Sequence, residues 1–155
     1  MMKSLLLCTF LVMAFSISAQ VYTPLKIVNG VATYQATAEP TIHLKAEDVH
    51  ARTEKWIKDT FLSENVITLN TPERIAARFF QDYSDGSWSD QFEHNLQIDI
   101  KGGQAFFTIT DTKLGLVRDG AWKEHLAKMR VMLEKAANEL FWSYSDALNA
   151  PAGKN

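Results

Sequence analysis

Phe92-Glu93-His94-Asn95-Leu96-Gln97-Ile98-Asp99-Ile100-Lys101 is the stretch that decides the fold. Phe92, His94, Leu96, Ile98 and Ile100 alternate with polar or charged residues, the period of two that predicts a strand with one buried face and one wet face. Gly102-Gly103 follows and permits the positive φ of a tight turn, so Ala105 to Asp111 is expected to return as the next antiparallel strand. Upstream, Val66 to Leu69 and Ile75 to Tyr83 are two β-rich runs joined by Asn70-Thr71-Pro72-Glu73, where proline and asparagine supply a turn. They read as a hairpin, and the polar stretch Ser84 to Asp90 reads as the loop that connects it to the decisive strand.

A one-sided antiparallel sheet must cover its apolar face. Two helices are expected to do so. Val49, Thr53, Trp56, Ile57, Thr60 and Phe61 recur at helical spacing from Ala46 to Leu62, with Glu47 and Asp48 in the first turn, where they complement the helix dipole. A longer helix is predicted from Asp119, a plausible N-cap, to Leu148, before Pro151 and Gly153. Its stripe is Trp122, Leu126, Met129, Leu133, Ala136, Leu140 and Tyr144, widened by Ala137 and Phe141; Met132 and Trp142 lie off the centre line. Between Val28 and Leu44 one or two short strands are suggested, Ala32 to Ala38 being the better candidate. The predicted order is β-α-β-β-β-β-α: a two-layer α+β sandwich, with an antiparallel sheet and two helices on one face.

The full chain has 155 residues, 16 Lys+Arg against 18 Asp+Glu, and one cysteine. Lys3 precedes an apolar run from Leu5 to Ile17 that ends in Ser18-Ala19, the pattern of a secretory signal peptide. The run is shorter than the ~20 apolar residues of a membrane span, and no second one follows. Cleavage is expected after Ala19, with Ser18 as the alternative. Removal of residues 1–19 leaves 136 residues with 15 basic and 18 acidic side chains, a net charge of −3. Residues 20–31 then form a lead-in, 32–148 a single domain and 149–155 a C-terminal tail. Cys8 falls within the leader rather than at its end, which argues against a lipid anchor and leaves the mature chain without thiol chemistry or disulfides.

The run Ala46-Glu47-Asp48-Val49-His50-Ala51-Arg52-Thr53-Glu54-Lys55-Trp56-Ile57-Lys58-Asp59-Thr60-Phe61, then Val66-Ile67, the strands from Ile75 and Phe106-Phe107-Thr108-Ile109-Thr110-Asp111 resemble a family of secreted bacterial proteins. That family is a domain of unknown function with a TBP-like (TATA-binding-protein-like) fold. The resemblance extends from about Ala32 to Leu148 and implies that fold for this chain. It departs from the family pattern at Lys45, where a capping serine is usual, at His50 in place of an aromatic, and at Ala76-Ala77 in place of a glycine-containing step. The family supplies no catalytic residues to transfer. Nucleic-acid binding is not expected, because phosphate neutralisation needs a basic surface and the mature chain is acidic.

No motif for catalysis is visible. His43, His50, His94 and His125 lie on four separate segments without ligand spacing, so no metal site is expected. His50 and Glu54 read as a surface pair. The acidic stretch Asp82 to Asp90 fails as a calcium loop, because Gly86 stands fifth, where an oxygen ligand is required. There is no serine elbow, Ser-x-x-Lys pair or glycine-rich phosphate loop. These observations suggest a non-enzymatic protein without a cofactor.

Aromatics remain. Trp88, in a polar loop, and Trp142, off the buried stripe, are the candidate binding residues, since exposed tryptophans are enriched at binding hot spots. The expectation is an exported, periplasmic or extracellular domain that binds an envelope protein, a glycan or a small apolar ligand. One alternative is a carrier with an apolar cavity between sheet and long helix, lined by Phe92, Leu96, Phe107 and Met129. Another is a hydrolase whose site, a histidine meeting a carboxylate in a cleft, is assembled from distant segments.

Overall fold

The computed structural model describes residues 21–29, 31–84, 89–111 and 123–151. Its elements are β1 (Lys26–Val28), β2 (Val31–Ala38), α1 (Ala46–Phe61), β3 (Ile67–Thr71), β4 (Arg74–Ser84), β5 (Ser89–Lys101), β6 (Gln104–Asp111) and α2 (Lys123–Asn149). All pairings are antiparallel, and the six strands lie in the order β1-β2-β6-β5-β4-β3. This is the predicted α+β arrangement with one strand more at the N-terminal side. The strand β1 escaped the sequence reading because all three of its residues are exposed and show no alternation. A signal was present nonetheless: Asn29 at φ 52 begins an Asn-Gly step, the strongest short-range marker of a two-residue hairpin.

The alternation in β5 places Phe92, His94, Leu96, Ile98 and Ile100 in the core. Their β6 partners Ala105, Phe107 and Ile109 and the β2 residues Ala32, Tyr34 and Ala38 share that face. Both helices pack on it. Phe107 is the centre of an aromatic cluster, with ring centroids 6.2 Å from Tyr34, 6.1 Å from Trp56, 5.5 Å from Phe141 and 5.6 Å from Tyr144. The helices are joined by a buried relay in which the Tyr144 hydroxyl donates to Thr53 Oγ1 (2.8 Å), and Thr53 donates to the Val49 carbonyl (2.7 Å). A second cluster, Leu25, Ala32, Phe92, Met129 and Leu133, closes the other end. Leu25 belongs to the segment 20–31 that the sequence reads as a lead-in, as does β1.

Local differences from the sequence reading have local causes. Lys45 replaces a capping serine, and the cap is reversed: Asp48 Oδ2 accepts the Lys45 N–H (3.3 Å) while the Lys45 carbonyl accepts from Asp48 and Val49. Helix α1 stops at Leu62, which takes a left-handed φ of 50°, before a 3₁₀ turn at Glu64–Val66. At Ala76-Ala77 the pairing jumps from Ile67↔Ala77 to Leu69↔Ala76, a bulge on the β3 side. The hairpins are tighter than expected: Pro72-Glu73 alone forms the β3–β4 turn, and Ser84 pairs with Ser89. The N-cap placed at Asp119 lies outside the described residues.

Candidate functional site

Trp142 stands in the wall of a groove of about 400 Å³. One side is formed by Ala36, Thr37, Ala38 and Glu39 at the end of β2, the other by Phe141, Trp142, Ser145 and Asp146 on α2, with Val21 and Thr23 at the lip. The helix residues lie one turn apart, the i, i+3, i+4 spacing that brings side chains to one face. Small side chains on β2 leave the space. Ala36 and Ala38 alternate on the helix-facing side of the strand, where Tyr34 by contrast fills the core.

The groove exists because the N-terminal segment leaves the sheet. Strand β1 covers only Val31, Ala32 and Thr33 of β2. Just before it, backbone groups that would have continued the ladder are taken by α2: Leu25 N–H donates to Glu134 Oε2 (2.8 Å), and Thr23 N–H donates to Asn138 Oδ1 (2.8 Å). Asn138 Nδ2 donates back to the Thr23 carbonyl (2.9 Å) and to Glu134 O (2.8 Å), and Asn138 Oδ1 also accepts from the Tyr34 hydroxyl (3.1 Å). The amide is fully buried with its bonding capacity satisfied. Burial pushes the Tyr34 hydroxyl up to about 12, so it serves as a neutral donor.

Trp142 is half-buried. Its ring lies 6.4 Å from that of Tyr22, and its Nε1 donates to the Val21 carbonyl at 3.5 Å, a long and weak contact. Glu39 and Asp146 are exposed carboxylates, the former held by Gln104 Nε2 (2.8 Å). Among the described residues no lysine or arginine lines the groove. It offers an indole, small apolar side chains and negative charge, a combination suited to a ligand with an apolar and a cationic part.

Of the two candidate tryptophans, the described residues include Trp142. Trp88 lies outside the described residues. Its described neighbours Ser84 and Ser89 pair at the tip of the β4–β5 hairpin, whereas Ala36 is level through Phe107 with Ile98. About nine strand residues, or ~30 Å, separate these levels. Tyr22, Glu39, Asp146 and the supporting Asn138 were not singled out from sequence. The one usable sign was Asn138 itself, a side chain disfavoured in helix interiors, standing beside the apolar stripe.

The remaining candidates fall elsewhere. His94 is buried against Phe79, with ring centroids 5.1 Å apart, and burial lowers its pKa to about 4. The void beside it measures about 10 Å³, room for no more than a single water. Phe92, Leu96, Phe107 and Met129, the expected lining of a carrier cavity, are packed at 2, 1, 0 and 7% exposure. That filling removes the ground for a carrier among the described residues. His50 Nε2 meets Asn70 Oδ1 (2.7 Å) in a shallow depression shared with Glu47 and Pro72. Hydrogen bonding from Lys58 is the main cause holding the nearby Glu54 carboxyl below its usual range. No group of three metal-ligating side chains occurs among the described residues. On the open face of the sheet, Arg74 pairs with Asp99 and Arg78 with Glu93, so both arginines are already neutralised. Among the described residues no helix is long and apolar enough to cross a membrane.

A six-stranded antiparallel sheet with two helices on one face defines the chain as an α+β domain with a TBP-like fold. It is similar in structure to a TBP-like protein from Parabacteroides distasonis, with a TM-score of 0.66 at 11% identity over 79% of this chain and 96% of that one. It is likewise similar to a DUF4468 family protein from Bacteroides ovatus, with a TM-score of 0.60 at 15% identity over 86% of this chain and 96% of that one. No family model matches the sequence, and no curated protein matches it.

Proposed function

We propose that this chain is an exported, non-enzymatic binding domain of the bacterial envelope, periplasmic or extracellular, whose leader 1–19 is removed after Ala19. The groove at Trp142 carries this reading: it is preformed, of ligand size, and walled by a half-buried indole. The leader pattern around Leu5 to Ala19 supports export. The ligand is an envelope protein; a glycan or a small apolar molecule is the other outcome of the test. Two measurements decide it. Amino-terminal sequencing of the protein from a cell envelope fraction should begin at Gln20. Affinity capture from envelope extract should recover a ligand that a Trp142→Ala control does not retain; equal recovery by both removes the groove from the reading.

A further inference from the structure

The two edges of the sheet are treated differently. The β3 edge is short and bulged between Ile67 and Leu69, the usual means of blocking further pairing. The β2 edge has no such bulge. Its partner β6 runs straight along Ala32 to Ala38, but β1 stops at the residue opposite Thr33, and the segment before β1 is drawn onto α2 by Asn138 and Glu134. Among the described residues, no hydrogen bond reaches the outer backbone of Tyr34 to Ala38. No proline, bulge or lysine guards this stretch; Pro40 comes only after it.

We propose that this free edge takes up an extended peptide segment as an added strand, with alternate side chains in the Trp142 groove and at least one of them basic. The inference rests on the groove being the binding site and names its occupant. Five open positions, Tyr34 to Ala38, span ~17 Å, enough for a short strand that continues the row begun by β1. Main-chain bonding to the edge supplies affinity, and the pockets that meet every second side chain supply selectivity. On the helix side those side chains meet Ala36, Ala38, Phe141 and Trp142; Glu39 and Asp146 supply negative charge at the same groove, with no opposing cation in its lining among the described residues. A lysine or arginine suits both the carboxylates and the indole face. A second copy paired edge to edge would instead bring two acidic grooves together.

The test uses the purified chain and a capped heptapeptide alternating lysine and valine. Three comparison peptides are a glutamate-for-lysine version and versions N-methylated at one or the other set of alternate residues. The basic peptide should bind, quench Trp142 fluorescence relative to Trp142→Phe, and slow amide exchange within Gln35 to Ala38. The set of N-methyl groups that faces the edge should weaken binding about tenfold or more, and because this change is in the peptide it cannot unfold the protein. Asp146→Lys should reverse the preference between the lysine and glutamate peptides. Binding that tolerates both methylation patterns, or that leaves Gln35 to Ala38 unprotected, overturns strand addition. Protection of those amides that rises with protein concentration without peptide also overturns it, in favour of a second copy. Should the peptide fail while envelope extract still yields a Trp142-dependent ligand, only the strand proposal falls; absence of any Trp142-dependent ligand removes the binding reading itself.

Discussion

The side-chain amide of Asn138 holds both backbone groups of Thr23, accepting from its N–H at 2.8 Å and donating to its carbonyl at 2.9 Å, as a neighbouring strand would. Together with Glu134 and Arg130, which hold the Leu25 N–H and carbonyl, this buried side chain fixes where the N-terminal segment lies and leaves part of β2 open. Asn138→Leu would strand the Thr23 backbone and the Tyr34 hydroxyl without partners. A loss of about 2–3 kcal/mol is expected in urea unfolding, with faster amide exchange at Thr23 and Leu25. A cost near zero would show that the segment is not held in this way.

The Tyr144–Thr53–Val49 relay should respond asymmetrically. Tyr144→Phe removes a donor and leaves Thr53 still bonded to Val49, for about 1 kcal/mol. Thr53→Val leaves the buried Tyr144 hydroxyl without its acceptor, and about 2 kcal/mol is expected. The double variant should cost less than the sum of the two, because the pair shares one interaction. Strict additivity in a denaturation cycle would contradict the relay.

Adjacent glycines at the β5–β6 turn should differ. Both have positive φ, 59° at Gly102 and 83° at Gly103, so alanine at either is strained. A Cβ at Gly102 meets open space, whereas one at Gly103 would lie 2.7 Å from the Leu44 carbonyl oxygen. Gly102→Ala is expected to cost about 1 kcal/mol and Gly103→Ala clearly more, since backbone must move. Equal thermal shifts for the two variants would count against this packing.

His94 sets a pH window. The folded state keeps its ring neutral down to about pH 4, while the unfolded chain protonates it near pH 6.5. Between these values the unfolded state binds the extra proton, so stability is complete above about pH 6.5 and declines as pH falls toward 4, by up to about 3 kcal/mol. Asp99 and Glu54, both held below the usual carboxylate range, begin to add their own loss as pH falls through the ordinary carboxylate range, so the His94 contribution is read above about pH 5. Replacing His94 with leucine should flatten the stability profile between pH 5 and 6.5; an unchanged slope there would assign it to other groups.

The fold was readable where burial is periodic. Strand β5 and helix α1 announce themselves because Phe92 to Ile100 and Val49 to Phe61 each face one environment. Strand β1 has no buried face to betray it. The position of Trp142 off the apolar stripe did mark a partly exposed residue, but the groove around it did not show. It is made by Ala36 and Ala38, by Val21 and Thr23, and by α2 residues more than a hundred positions away, joined through one asparagine. Side-chain smallness and a distant hydrogen bond leave no periodic trace.

The strand order has a consequence for assembly. Strands β3 to β6 follow one another along the chain and pair through short turns, whereas β2 must find β6 with Ala32 opposite Asp111, about 80 residues away. Closing so long a loop is entropically slower than forming the meander. During that interval the unpaired edge is that of β6, which carries Phe106, Phe107 and Ile109 in consecutive or alternate positions. The hazard of sticking to a neighbouring molecule is therefore greatest at β6 in the unfinished protein, and the arrival of β2 exchanges that apolar edge for a milder one of alanine, threonine and glutamine.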